Sequence, residues 1–180
     1  MNPDAINEQS LCLSCGLCCD GTLFAIVPLR EEDSATALQA RGIALQKKED
    51  NYSFKQPCTA YRQNCCQIYA DRPANCQKYR CAVLRNYERG DISRSDAQAR
   101  ISRALMLKEA VRNSLASIVA TSHELSIPAL LKIAPHQEAM VADPVLLQTW
   151  GSAMMQISAL LDCLQTHFEP PRIKQENDSH

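Results

Sequence analysis

The sequence predicts an α+β protein, mainly helical, in which an irregular cysteine-rich N-terminal half with a few short strands packs on C-terminal α-helices. Three observations carry that expectation. Nine of the ten cysteines lie before residue 82. Beyond Gly90, apolar residues recur at helical spacing through two long segments. Between positions 20 and 60, short apolar runs alternate with turn residues instead. The composition therefore divides the chain into a Cys-rich region 1–90, a helical region 91–168 and a tail 169–180. At 180 residues the chain is long enough to bury one core without depending on cross-links.

The elements follow in order. TLFAIVPL (22–29) reads as a short strand that Pro28 ends or confines to an edge. REEDSATALQA (30–40) reads as a short helix stopped by Gly42, and IALQKKEDNYSFKQ as two short strands turning at Glu49-Asp50-Asn51. Proline is tolerated in a first helical turn and glycine ends helices. One helix is therefore expected from Pro73 towards Gly90, carrying Cys76 and Cys81. Ser93 with Asp96 is a capping-box pattern, and Ile101, Leu105, Val111, Leu115 and Ile118 continue it as a helix of about 94–121. Ile127-Pro128 opens a shorter helical piece with Leu130, Leu131 and Ile133 on its apolar side. Asp143-Pro144 is an N-cap followed by proline at the first helical position. From there Leu146, Trp150, Ala153, Ile157, Leu160, Leu161, Leu164 and Phe168 form one stripe, a second long helix of about 144–168. The tail EPPRIKQENDSH has two prolines and no periodicity, so it is expected to be disordered.

CLSCGLCC places Cys12, Cys15, Cys18 and Cys19 within eight residues, and five more cysteines follow between 58 and 81. Two-residue gaps let neighbouring sulfurs reach one centre from a single turn of backbone, the logic of zinc sites and of ferredoxin runs. The N-terminus MNPDAINEQS is polar and has no apolar signal core. A cytoplasmic, reducing setting is the expectation, where clustered thiols are ligands or redox groups rather than disulfides. No apolar run approaches the roughly 20 residues needed to span a bilayer.

CLSCGLCC resembles the CxxCxxCC family, the zinc- or iron-chelating domain of YkgJ-like bacterial proteins. PCTAY (57–61), CQIY (66–69), and RPANC (72–76) with Cys81 five residues on, resemble its remaining elements. The resemblance covers roughly residues 12–81. It implies that Cys12, Cys15, Cys18, Cys19, Cys58, Cys66, Cys76 and Cys81 are the metal ligands. Two features depart from the pattern: Gln77 stands where the family commonly places Arg, and Cys65 is an extra thiol beside Cys66 that a one-residue slip would substitute for it. Cys163, alone in the last helix, reads as a small buried hydrophobe.

Zinc and iron–sulfur cubanes each take four protein thiolates in their common forms, so eight ligands fit two closed sites or one site with spares. Adjacent side chains leave an extended backbone in different directions, so Cys18 and Cys19 need not serve one centre. A single triple run, in place of the paired C-x2-C of zinc ribbons, tilts the cofactor towards an iron–sulfur cluster, with zinc as the alternative. The net charge of −1 conceals a basic stretch: residues 41–90 hold ten basic and four acidic side chains. Arg62, Arg72, Lys78, Arg80 and Arg85 are thereby candidates to offset clustered thiolates. A nucleic-acid role is disfavoured, because the basic residues are scattered and the whole chain is near neutral.

No radical-SAM run, phosphate loop, dinucleotide glycine fingerprint or HExxH motif occurs. His123, His136 and His167 read as cap or surface residues. The expected role is a redox or cluster-dependent one, and flagellin lysine methylases, which share the resembling pattern, make a cluster-dependent enzyme conceivable. The alternative is a non-enzymatic module in which zinc orders the fold and the helices bind a partner protein. The sequence specifies no substrate.

Overall fold

The computed structural model describes residues 11–63, 65–118 and 143–168. The helical piece expected at Ile127-Pro128 and the tail from Glu169 lie outside them. Helix α1 is described over residues 11–15. It is followed by β1 (Ile26–Pro28), α2 (Ala35–Ala40), β2 (Leu45–Lys48), β3 (Asn51–Lys55), β4 (Tyr61–Arg62), β5 (Cys65–Cys66), a 3₁₀ turn (Tyr69–Asp71), α3 (Ala74–Lys78), α4 (Ala82–Glu88), α5 (Arg94–Ile118) and α6 (Pro144–His167). The architecture is α+β and mainly helical, with few short strands. Among the described residues no helix is long and apolar enough to cross a membrane.

The strands form two small antiparallel units. β1, β3 and β2 make a three-stranded sheet in that order, with Val27 and Leu45 both opposite Phe54. Phe54 is buried with Val27, Leu38, Ile43, Cys58, Ala60 and Ile68 in a compact apolar cluster. β4 and β5 form the second unit, pairing Tyr61 with Cys66 and Arg62 with Cys65. The strand expected from residue 22 begins only at Ile26. Before it, Thr22 donates its backbone N–H to Asp20 Oδ1 (2.9 Å) and Leu23 donates to the Leu17 carbonyl (3.0 Å), so the chain is still turning. Similarly, the helix expected from Arg30 starts at Ala35. Asp33 accepts from the Arg30 N–H (2.8 Å) and holds a turn there, while Ser34 caps the helix from Ala37 N.

The single helix expected between Pro73 and Gly90 is two helices. The break falls at Tyr79–Cys81, where Tyr79 and Cys81 have extended backbones (ψ 130° and 167°). No glycine or proline marks it; arginines hold it. Arg80 Nη1 donates to the Gln77 and Tyr79 carbonyls, and Arg85 Nη1 donates to the Arg80 carbonyl (2.7 Å). In one continuous helix, positions 76 and 81 would stand about 140° apart around the axis. The break frees Cys81 from that constraint and makes it the N-cap of α4.

The larger core joins α1 and the residues after it to the helical pair. Ala97, Ile101, Ala104, Val111 and Leu115 of α5 are buried with Ala153, Ile157, Leu160, Cys163 and Leu164 of α6, and with Leu11, Leu17, Leu23, Val83 and Phe168. Asp143 caps α6 as expected, its Oδ1 accepting from Val145 and Leu146. Leu161, expected on the buried stripe, is 57% exposed. The α5 stripe has a four-three alternation in which Lys108 occupies a core position between Ala104 and Val111. It pairs with Asp20 Oδ2 at 2.8 Å, and both side chains are nearly buried. One ion pair thus fastens the cysteine-bearing loop to the long helix.

Candidate metal centre

α1 and the turn after it present the first four thiols. Cys12 and Cys15 are three residues apart on one helical turn, which brings them to the same face. Gly16 then reverses the chain at φ +67°, with Cys19 N and Asp20 N donating to its carbonyl at 2.8 and 3.0 Å. Only glycine fits this position without strain. A β-carbon here would also lie 2.7–2.8 Å from Cζ and Cε2 of Tyr61. Gly16→Ala is therefore expected to destabilise the metal-free fold by about 2–3 kcal/mol through the unfavourable backbone and the displaced ring. Denaturant unfolding checks this.

The remaining thiols arrive on separate elements. Cys58 follows the cis Gln56–Pro57 bond, and its N–H donates to the Cys19 carbonyl at 2.8 Å. Cys66 is on β5, Cys76 on α3, and Cys81 caps α4. Asp33 Oδ1 accepts from Ala74 N (2.8 Å) at the start of α3. Asn75 donates to the Pro28 carbonyl (2.7 Å), so α3 is anchored to the sheet. None of the ten cysteines is in a disulfide.

These elements enclose a cavity of about 90 Å³ whose wall includes Cys12, Cys15, Cys18, Cys19, Cys66, Cys76 and Cys81. Cys58 is buried against Cys66. Cys65 is not on the wall, and Cys163 lies in the core between α5 and α6. Leu11, Leu17, Phe24, Val83, Ile101 and Phe168 supply the apolar part of the lining. Among the described residues, no three Cys, His, Asp or Glu side chains are already drawn into a ligand shell. The thiols surround the space rather than meeting at a point.

Two buried donors face the same space without protein partners: Arg72 Nε and Tyr79 Oη. Arg72 also stacks on the Tyr69 ring, its guanidinium carbon 3.6 Å from the centroid. Tyr79 is held edge-on to Phe24 at 5.3 Å. A buried unpaired N–H or O–H is costly, and a sulfur-rich anionic group in the cavity would satisfy both. Of the five basic residues read as charge partners, Arg72 alone is on the wall. Lys78 pairs with Glu32 (2.6 Å), Arg80 pairs with Glu88 (2.8 Å), and Arg85 braces the helix break. Arg62 is exposed. Lys108, Asp20, Tyr79 and the break at Tyr79–Cys81 were not singled out from sequence. A lysine at a core position of an amphipathic helix is the signal that would have found the first.

Burial holds most of these thiols neutral. It pushes Cys15 and Cys76 up to about 12 and raises Cys12, Cys18, Cys58 and Cys81, with neighbouring thiols adding to the effect. Cys19 and Cys66 act as a pair. The Cys19 thiol donates to the Cys66 sulfur, which holds Cys19 up and draws Cys66 down. The six raised groups start from an ordinary value of 9.0. In the metal-free protein their stabilisation is complete below that value and is lost as the pH climbs through the raised ones. The melting temperature of chelator-treated protein is expected to fall between about pH 8 and about pH 10.5. Metal-loaded protein, whose ligands carry no protons, should lack that decline over the same range.

The family model of the CxxCxxCC "Putative zinc- or iron-chelating domain" matches residues 11–101, half of the chain. No curated protein and no solved structure matches it. The matched span contains α1, both strand units, α3, α4 and every thiol on the cavity wall. With that match, the chain belongs to the CxxCxxCC family of zinc- or iron-chelating domains.

Proposed function

We propose that the chain is an iron–sulfur protein in which Cys12, Cys15, Cys18, Cys19, Cys58, Cys66, Cys76 and Cys81 are the ligands, with a redox or cluster-dependent role. The observation that carries this reading is the thiol-walled cavity. A lone zinc ion bonds sulfur at about 2.3 Å and draws four sulfurs into mutual contact, leaving no water-sized space. A space of about 90 Å³ bounded by seven thiols leaves room for inorganic sulfur between the thiolates and the metal.

The rest of the lining supports the same reading. When bound, such a group supplies one-electron chemistry or a site for substrate activation. The Arg72 N–H and Tyr79 O–H, buried without partners, would donate to its sulfurs and so favour the reduced, more negative state. Leu11, Phe24, Val83 and Phe168 exclude water and lower the local dielectric. Cys66, whose sulfur already accepts a hydrogen bond from Cys19, is the thiol best prepared to bind as thiolate.

The test is purification without oxygen from iron-replete cells. Broad visible absorption that bleaches with dithionite, with equal iron and sulfide, is the expected result. A colourless protein holding zinc alone after such expression would overturn the iron–sulfur reading.

A further inference from the structure

The eight thiols are divided by the fold. Cys15, Cys18 and Cys81 pack against the larger core of α5 and α6, whereas Cys58 belongs to the sheet cluster around Phe54, and Cys66 and Cys76 pack against that cluster. The electrostatic neighbours give the same partition. Cys81 acts on Cys12, Cys15 and Cys18, and Cys12 acts on Cys15 and Cys18. Separately, Cys58 and Cys66 act on both Cys19 and Cys76.

Backbone geometry explains the division at its hardest point, the adjacent pair Cys18-Cys19. In the turn that Cys19 N and Asp20 N close on the Gly16 carbonyl, adjacent side chains stand about 100° apart, and the Cys19 carbonyl is tied to the Cys58 N–H at 2.8 Å. Tyr61 N donates in turn to the Cys58 carbonyl (2.9 Å), and Tyr61 is the strand partner of Cys66. Cys19 is thus stitched to the unit that bears Cys58 and Cys66, while Cys18 is left on the side of Cys15 and Cys81. The links that cross are Cys18 with Cys19, adjacent in the chain, and Cys18 with Cys76. Arg85 stands beside Cys81, and Arg72 lies between the two sets, beside Cys66 and Cys76 and also beside Cys12. Four thiolates close one zinc ion or one cubane.

We propose that the chain holds two separate metal centres, one bound by Cys12, Cys15, Cys18 and Cys81 and the other by Cys19, Cys58, Cys66 and Cys76. The partition rests on the thiolate–metal reading above and holds for either metal. Neither set is closed in the metal-free arrangement, so loading draws each foursome inward without exchange between them.

The test compares metal per chain in Cys15→Ser, Cys15→Ser/Cys18→Ser, Cys58→Ser and Cys18→Ser/Cys19→Ser. The first three are expected to keep about half the wild-type metal, and the last to keep none. Wild-type protein free of metal would sink the metal reading itself. Wild-type protein with metal, and complete loss in Cys15→Ser and in Cys58→Ser alike, would leave that reading intact and overturn the partition. Where a variant fails to fold, wild-type protein is partly stripped with chelator, alkylated and mapped by mass spectrometry. Chains labelled at one foursome and protected at the other support two centres. Labels distributed across both sets would overturn them.

Discussion

Cys15→Ala is expected to lower bound metal to about half of the wild-type value or less, whereas Cys163→Ala leaves it unchanged. Both residues are cysteines in helical segments, so the contrast isolates position from residue type. Cys15 faces the cavity beside Cys12 and Cys81. Cys163 is 4% exposed in the core between α5 and α6, where it serves as a small apolar side chain. The structural consequence should be local. Among the described residues the sheet cluster buries Val27, Leu38, Ile43, Phe54, Cys58, Ala60 and Ile68, a small core that bound metal would reinforce. Structural zinc contributes about 10–16 kcal/mol in small metal-folded units. Loss of ligands should therefore raise tryptic cleavage in residues 20–70 at least about tenfold, with the α5–α6 pair spared. Atomic emission for metal and limited proteolysis with mass mapping check the two halves of this expectation. Metal loss in Cys163→Ala would place the ligands wrongly.

Lys108→Met is expected to destabilise the protein by about 3–5 kcal/mol, because it leaves the Asp20 carboxylate buried and unpaired. Asp20 is 4% exposed and also accepts from Thr22 N, so it cannot swing out to water without undoing the turn that follows Cys19. The cost is that of the stranded charge rather than of the lost attraction. The double variant Lys108→Met/Asp20→Asn should consequently recover most of the loss, since the amide oxygen keeps the Thr22 hydrogen bond and carries no charge. Denaturant unfolding of the three proteins measures this. A double variant no more stable than Lys108→Met would show that the pair acts by something other than charge burial.

The long helices were legible because their instructions are local. Asp143-Pro144 is a cap that works by its own side chain, and the 3.6-residue stripe needs no knowledge of the partner. The turn at Glu49-Asp50 was legible for the same reason. What escaped was settled by contacts distant in sequence. Nothing in YRCAV reports that Arg80 and Arg85 will take the carbonyls around Tyr79, so the helix break was invisible, and with it the way Cys81 reaches the cavity. Asp20 reads as a loop acid until Lys108, 88 positions away, is seen at a core position. The basic stretch was legible in part: Arg72, Arg80 and Arg85 act on the thiols, whereas Lys78 is taken up by Glu32 and Arg80 also pairs with Glu88. That Cys66 rather than Cys65 faces the cavity follows from strand pairing, which alternates sides and sets Cys66 opposite Tyr61.

Whether clustered cysteine sulfurs hold the metal is read from X-ray absorption at the metal edge. Protein loaded in the cell should show a first shell of sulfur alone at about 2.3 Å, with a second shell of metal neighbours if the group is a cluster. A first shell of nitrogen or oxygen would contradict the account, as would a folded protein that retains no metal at all.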